Sequence, residues 1–392
     1  MLSPTTLPAF QQAIADAGLD GWLLYDFHGL NPIAVGLLRL EGMLTRRVFV
    51  LVPRAGVPAA ITHAIEQGPW RAWPAGWRKE QYSSWRTLEG LVASLVGGRR
   101  VAMEYSPGDG VPYLDRVPAG VLEMVRAAGA EVVPSGELVT RFYATWDADN
   151  VASHQRAADA IAAIARSVLR RVGDRARSAA PATELEARGW ILDAFAHAGL
   201  ETVDPPIVAV GANAADPHYD PSPERPRPIR EGDVVLVDLW AREPGGVYAD
   251  QTWMASVGAP TPRAAEVWSA VRDARDAAIA AVRDGVAAGR PLRGGDVDDV
   301  ARGVITARGL GQFFIHRTGH SIDPRDLHGS GPHLDNLETR EERLLVPGVA
   351  FSIEPGVYLA GEIGMRSEVN AFIEPGRAVI TPTEYQSELL VV

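Results

Sequence analysis

Val234-Val235-Leu236-Val237-Asp238-Leu239-Trp240, then Pro244-Gly245-Gly246, then Val247-Tyr248-Ala249-Asp250-Gln251-Thr252, reads as a strand, a turn and a returning strand. The apolar run 234–237 has the composition of a buried strand, and the Pro-Gly-Gly cluster punctuates it. Strands are predicted over Asp233–Trp240 and Val247–Asp250. A tight antiparallel return sets Asp238 and Asp250 side by side. The pattern recurs near the end of the chain, with strands around Ala350–Glu354 and Met365–Phe372 and a turn at Ala360-Gly361. There Phe351-Ser352-Ile353-Glu354-Pro355-Gly356 and Met365-Arg366-Ser367-Glu368-Val369 bring Glu354 and Glu368 together. Any one of these acids alone would more often cap a loop or face water. Two like-charged pairs meeting in one place are costly without cations. His320, in His316-Arg317-Thr318-Gly319-His320-Ser321, adds an imidazole. Four carboxylates and one imidazole suit hard or borderline divalent cations such as Mn²⁺, Co²⁺ or Zn²⁺. Two such ions a few ångströms apart imply metal-assisted hydrolysis.

Around these strands the periodicity predicts an organised second half. Helices are expected over about Val151–Val172, Thr183–Ala198, Arg263–Val286 and Asp296–Arg308, with a further strand at Pro206–Val210. Two helices and a strand ribbon thus occur twice. The first copy supplies two aspartates, and the second supplies the histidine and two glutamates. The segment 217–228, with five prolines, should be an ordered but irregular loop. The first part alternates differently. A helix is expected over 7–18, strands at 21–25, 47–52, 59–62, 100–104 and 131–133, and helices at 88–95 and 118–128. This is an α/β layer. A boundary near 143–149 gives two domains, 1–146 and 147–392.

In that order the five ligand segments resemble the prolidase, aminopeptidase P, methionine aminopeptidase and creatinase family, with its pita-bread fold. The resemblance covers roughly residues 150–392. Ala17-Gly18-Leu19-Asp20-Gly21-Trp22-Leu23-Leu24 and Arg46-Arg47-Val48-Phe49-Val50-Leu51-Val52-Pro53 are similar to the creatinase-type N-terminal domain. That domain favours the prolidase and aminopeptidase P branch. The fold class implied is α/β (α+β): a small creatinase-type N-terminal domain and a pita-bread domain with pseudo-twofold halves. By resemblance, Asp250 and Glu368 bridge two metals, His320 and Glu354 complete one, and Asp238 chelates the other. Water activated between the metals is then the nucleophile, with Glu354 as general base and then acid. His218, in Asp216-Pro217-His218-Tyr219, and His328, in Asp326-Leu327-His328-Gly329, match the family's two further histidines. They would touch the scissile amide and stabilise its oxyanion. Relative to the family, one residue is inserted between His320 and His328, and Gly329 replaces the glutamate often found in prolidases. Thr252 is expected to hydrogen-bond a bridging carboxylate, Arg366 to position Glu368, and His316 to orient a ligand. His333 reads as a solvated loop histidine.

The resemblance implies hydrolysis of the Xaa-Pro bond in a small peptide with proline second, using two divalent ions, Mn²⁺ first among them. An Xaa-Pro dipeptidase leads, with aminopeptidase P on longer peptides as the alternative. A creatinase-like amidinohydrolase is disfavoured because the ligand set is complete. A non-catalytic binding module on the same fold is the more distant reading. No G-x-S-x-G elbow points to a serine hydrolase. A dipeptidase must also hold a free carboxylate, for which arginine is the natural clamp. Arg46 and Arg47 are favoured, though each also reads as an exposed arginine at a strand start.

Composition narrows the partners. A net charge of −11 argues against non-specific nucleic-acid binding. Cysteine is absent, which excludes thiol nucleophiles, disulfides and Cys-ligated zinc. No apolar stretch approaches a membrane span, and the start of the chain lacks a signal-peptide pattern, so a cytoplasmic location is expected. The cluster Trp70-Arg71-Ala72-Trp73-Pro74-Ala75-Gly76-Trp77, with Tyr82 and Trp85, would pack in a core or, if exposed, form a subunit contact. A homodimer is the expectation.

Overall fold

The computed structural model describes all of residues 1–392, which form two compact units, Met1–Tyr143 and Ala144–Val392. In the first, the elements run α1 (Leu7–Asp16), β1 (Gly21–Asp26), α2 (Pro32–Leu38), β2 (Val48–Pro53), β3 (Ala59–His63), β4 (Arg78–Tyr82), α3 (Trp85–Val96), β5 (Arg100–Met103), α4 (Ala119–Ala127), β6 (Glu131–Pro134) and α5 (Gly136–Phe142). They build one mixed sheet in the order β4-β3-β2-β1-β5-β6. Alternation along β1 and β2 divides the core. Trp22, Leu24, Val48, Val50 and Val52 pack on the side of α1, α2 and α5. Leu23, Tyr25, Phe49 and Leu51 pack on the other, with α3 and α4. Because both faces are covered, these strands are apolar throughout.

In this unit three elements escaped the sequence reading. The strand β4 is Arg-Lys-Glu-Gln-Tyr, exposed except at Tyr82, so it carries no apolar alternation. It lies at the sheet edge, where charged side chains discourage pairing with another chain. The short helices α2 and α5 have too few turns to show a period. The tryptophan cluster follows its core reading: Trp70 is buried, and Trp73 stacks edge-on against both Trp70 and Trp77. Trp85 is exposed, with the guanidinium of Arg86 over its ring.

The second unit contains α6 (Ala148–Ala176), α7 (Glu184–Ala198), β7 (Ile207–Val210), β8 (Val234–Ala241), β9 (Ala249–Ser256), α8 (Pro262–Ala287), α9 (Gly294–Ala307), β10 (Ala350–Ile353), β11 (Gly356–Leu359), β12 (Ile363–Arg366), β13 (Val369–Glu374), β14 (Arg377–Thr381) and β15 (Leu390–Val391). The helices start where polar side chains replace missing backbone partners. Asp147 with Asn150 and Thr183 with Glu186 form capping boxes, and Thr261 caps α8 ahead of Pro262. Each such cap is worth about 1 kcal/mol. Strands β15-β9-β8-β7 form one sheet, β10-β13-β14 a second, and β11-β12 a ribbon. Helices α6 and α7 cover Val208, Val235, Val237 and Leu239, while α8 and α9 cover Leu236, Met254, Phe351 and Val369. The helix-pair-then-ribbon order therefore repeats, and β9 of the first half lies against β13 of the second. No helix is long and apolar enough to cross a membrane.

One expected strand is two. Residues 365–372 break at Ser367-Glu368, where β12 leaves its pairing with β11 and β13 begins to pair with β10. The second strand of the first ribbon also starts later than expected, at Ala249, and runs on to Ser256.

A candidate dinuclear metal centre

The carboxylates converge because two strand pairs end at one place. Across β8 and β9 the register sets Asp238 opposite Thr252 and Trp240 opposite Asp250. Asp238, Thr252 and Asp250 thus share one face, since alternate residues of a strand point the same way. Glu354 follows the last residue of β10 and Glu368 precedes the first of β13, just beyond the pair Ile353–Val369. His320 comes from the segment running beside β10, where its N–H donates to Ser352 Oγ at 2.9 Å and its carbonyl accepts from Ser352 N.

His320 Nε2 lies 3.2 Å from Asp250 Oδ2 and 3.5 Å from Glu354 Oε1. One ligand atom each from Asp250, His320 and Glu368 lie within 4.8 Å of one another. Thr252 Oγ1 sits between Asp238 Oδ1, at 3.1 Å, and Glu368 Oε2, at 2.8 Å. Arg366 donates from Nε to Thr252 Oγ1 at 2.8 Å and pairs through Nη2 with Asp238 Oδ2. Its Nε also lies 4.0 Å from Glu354 Oε2. All five expected ligands, with Thr252 and Arg366, therefore occupy one buried cluster. Arg366 contacts Asp238 and Thr252 and reaches Glu368 only through Thr252.

The model for metallopeptidase family M24 matches residues 153–375, which span the whole cluster. The chain belongs to metallopeptidase family M24. A probable dipeptidase PepE from Mycobacterium tuberculosis is 30% identical over 97% of this chain and 94% of its own length. An Xaa-Pro dipeptidase from Lactobacillus helveticus is 34% identical over 44% of this chain and 42% of its own. Among solved structures, dipeptidase PepE from Mycobacterium ulcerans superposes with a TM-score of 0.74 at 27% identity, covering 99% of this chain and 97% of that one.

The electrostatics of this M24 centre fit divalent cations. Burial pushes Asp238 up to about 6, with Arg366 opposing, and raises Asp250 and Glu368 well above the usual carboxylate range, reinforced by their acidic neighbours. Burial also works to raise Glu354, but His320, Arg366 and His316 outweigh it and hold this carboxylate low. Burial lowers His320, which favours the neutral imidazole that a metal requires. Glu368 Oε1 is buried and has no hydrogen-bond partner. Such an orphaned oxygen is costly unless a ligand completes it. One guanidinium against four acids leaves the cluster short of positive charge, and an oxygen-rich donor set with one imidazole suits Mn²⁺, Co²⁺ or Zn²⁺.

The other M24 candidates divide. His328 lies beside the cluster, its ring 4.3 Å from that of His320, and the neighbouring His320, burial and Arg317 push it down to about 3. His218 is exposed on the loop after β7, within electrostatic reach of His328. His316 lies deeper, with Nε2 2.8 Å from the hydroxyl of Tyr358, which in turn lies 3.4 Å from Arg366 Nη1. Arg46 and Arg47 lie in the first unit, lining a groove of about 430 Å³ with His28, His63, Tyr82 and Trp85. His333 corrects its solvated-loop reading. It is fully buried, its Nδ1 accepting from Ser321 N at 3.0 Å, beneath the buried Arg343–Glu341 pair. One turn sets the spacing between His320 and His328. Asp323 accepts the N–H groups of Arg325, Asp326 and Ser330, curling the chain before His328. A Cβ at position 329 would lie 2.7 Å from Asp323 N, so glycine fits where a glutamate does not.

Four supporting residues were missed. Ser352 donates to Glu354 Oε1 at 2.9 Å, and Asn370 Oδ1 accepts from Asp250 N at 2.9 Å. Asp298 Oδ1 accepts both the N–H and the hydroxyl of Thr318, two residues before His320. Tyr358 links His316 to Arg366. In the sequence Ser352 and Asn370 are ordinary residues of expected strands, Asp298 lies in an expected helix, and Tyr358 falls between expected strands.

Proposed function

We propose that this M24 chain is an Xaa-Pro dipeptidase, acting on small peptides with proline second. The observation that carries the reading is the meeting of Asp250, His320 and Glu368 ligand atoms within 4.8 Å of one another, with Asp238 and Glu354 beside them and Glu368 Oε1 without a hydrogen-bond partner. Similarity to a dipeptidase along nearly the whole chain supports the subclass, and the match to an Xaa-Pro dipeptidase supports the proline requirement. When bound, two divalent ions supply Lewis acidity and lower the pKa of water. Asp238, Asp250, His320, Glu354 and Glu368 would hold them. Mn²⁺ is the first ion to test.

The protein's own groups do the rest. Glu354, fixed by Ser352 Oγ, accepts the proton released at attack and passes it to the leaving prolyl nitrogen. An amide nitrogen leaves only once protonated, and here the proton becomes the N–H of the released proline. His328, beside His320, donates an N–H toward the carbonyl oxygen as charge develops there. His218 holds the substrate from its own loop. Arg366, through Thr252, orients Asp238 and Glu368. One of Arg46 and Arg47 takes the substrate carboxylate. Arg47 is half-buried with no carboxylate in ion-pair contact. The same reading places the enzyme in the cytoplasm, in keeping with its lack of cysteine. It also makes the protein a homodimer, which sedimentation would contradict by showing monomer alone.

The test is release of the first amino acid from Ala-Pro and from Ala-Pro-Ala, by chelator-stripped protein with and without Mn²⁺. Metal-dependent cleavage of Ala-Pro alone is expected. Equal or better cleavage of Ala-Pro-Ala would make the protein an aminopeptidase P. Cleavage of neither, with metal bound, would overturn the peptidase reading.

A further inference from the structure

The loop that carries His218 is tied to one buried carboxylate at its start, middle and end. Glu184 is the first residue of α7, where an acid ordinarily faces solvent and interacts with the helix dipole. Here it is 1% exposed. Its Oε1 accepts from Val210 N, the last residue of β7, at 2.8 Å. Asn213 Nδ2 lies 3.0 and 3.2 Å from its two oxygens. Its Oε2 accepts the phenol of Tyr219 at 2.8 Å, and that phenol accepts from Asn213 Nδ2 at 2.8 Å. Tyr219 directly follows His218, whose own N–H donates to Asp216 Oδ1. The loop is pressed from its other side by β12. A Cβ at Gly364 would lie 1.7 Å from Ala214 O, so only glycine permits that approach. Two residues beyond Gly364 stands Arg366, which holds Thr252 and Asp238.

No arginine or lysine makes an ion pair with Glu184, and burying an unpaired carboxylate costs stability. Every hydrogen bond that it accepts comes from this loop. An apolar residue could fill the space but could not gather three separate donors.

We propose that Glu184 and Tyr219 are positioning residues for His218, fixing the 211–219 loop so that the imidazole meets the scissile amide. The proposal rests on the Xaa-Pro reading for the role of His218, but not for the tethering itself.

The test is a double-mutant cycle in the full chain loaded with Mn²⁺, with Tyr219→Phe and His218→Ala measured singly and together on Ala-Pro. Tyr219→Phe keeps the ring and removes the phenol. It should lower kcat/KM about tenfold, the scale of one lost buried hydrogen bond. In the His218→Ala background it should add nothing, since the group being positioned is gone. Glu184→Gln keeps an acceptor for Val210 N but not the full set, and should show the same non-additivity. Hydrogen–deuterium exchange gives a readout independent of activity. In Tyr219→Phe, exchange should quicken over 211–219 and stay unchanged in β8 and β9. Unchanged exchange over 211–219, or full additivity with His218→Ala, would overturn the proposal. A wild type that fails to cleave Ala-Pro would overturn the proposed function instead, and the exchange result would still decide whether Glu184 and Tyr219 hold the loop.

Discussion

Glu104 is a buried acid in the first unit, and its ionisation should make the stability of that unit fall as pH rises. It is completely buried, accepting from Trp22 Nε1 at 2.5 Å, Asn31 Nδ2 at 2.9 Å and Ser135 Oγ at 3.1 Å. Burial outweighs these three donors and raises its pKa from 4.5 to about 7. A carboxyl whose folded pKa lies above its unfolded one binds its proton more tightly when folded. Its contribution is therefore fully present below pH 4.5 and is lost as pH rises to about 7. At about 1.4 kcal/mol per unit, that window corresponds to about 3 kcal/mol. Glu104→Gln isolates the effect. The glutamine oxygen can keep Trp22 and Ser135, but its amide faces Asn31 Nδ2 as donor to donor. Asn31 cannot simply flip, because its Oδ1 caps α2 through Ala34 N. The variant should thus be less stable by roughly 1 kcal/mol at pH 5. By pH 8 the order should reverse, because only the wild type has paid for ionisation. Urea denaturation of the full chain at pH 5, 6, 7 and 8, followed by fluorescence from the tryptophans of the first unit, measures the difference. A wild-type minus variant stability that stays flat across these pH values would refute the reasoning. It would mean that the three donors stabilise the charged form as well as water does.

Other consequences follow from the metal centre and the loops around it. Glu368→Gln should cut bound-metal stoichiometry and lower kcat by at least about a hundredfold; metal analysis beside Ala-Pro kinetics checks both. Gly329→Glu, which writes in the residue often found in prolidases, should lower stability by about 1–3 kcal/mol, because its Cβ would press on Asp323. Thermal unfolding indistinguishable from wild type would count against that packing account. Arg47→Ala should raise KM for Ala-Pro about tenfold while sparing Ala-Pro-Ala, since a carboxylate clamp acts only where the carboxylate is. Arg46→Ala run in parallel assigns the clamp between the two.

The cluster was legible because its acids sit where two simple signals intersect. A strand pair with a Gly-rich turn places Asp238 near Asp250, and a second such pair places Glu354 near Glu368. The sequence could not supply the register. Asp238 lies opposite Thr252 rather than Asp250, because the ladder closes at Ala241 and Ala249. That offset puts a hydroxyl between Asp238 and Glu368, where Thr252 bridges them. His333 was misread for a related reason. Its surroundings look polar, yet Arg343 donates to Ser330 O and Gly331 O and is paired to Glu341. The two carbonyl contacts span 13 and 12 residues, and no local periodicity records them.

The break in the strand expected over 365–372 shows why local pattern and function part company at this site. Met365, Val369, Ala371 and Phe372 carry the composition of one buried strand, and continuity would be the expectation from propensity alone. A continuous strand, however, would alternate its side chains strictly across the sheet. Arg366 and Glu368 would then lie on one face, with Ser367 on the other. That sharing of a face survives the break: Ser367 and Glu368 leave both ladders, yet Arg366 and Glu368 both meet the hydroxyl of Thr252. Arg366 ends β12 facing Thr252 and Asp238, and Glu368 enters the cluster from beside Val369. Buried Arg275, from α8, donates to Ser367 Oγ at 2.6 Å and so anchors the break from behind. The cluster thus combines acids that lie within a paired ladder, Asp238 and Asp250, with one that lies between two ladders, Glu368. The first kind can be read from alternation. The second is held by Arg275, some ninety residues away, a contact that no local pattern records.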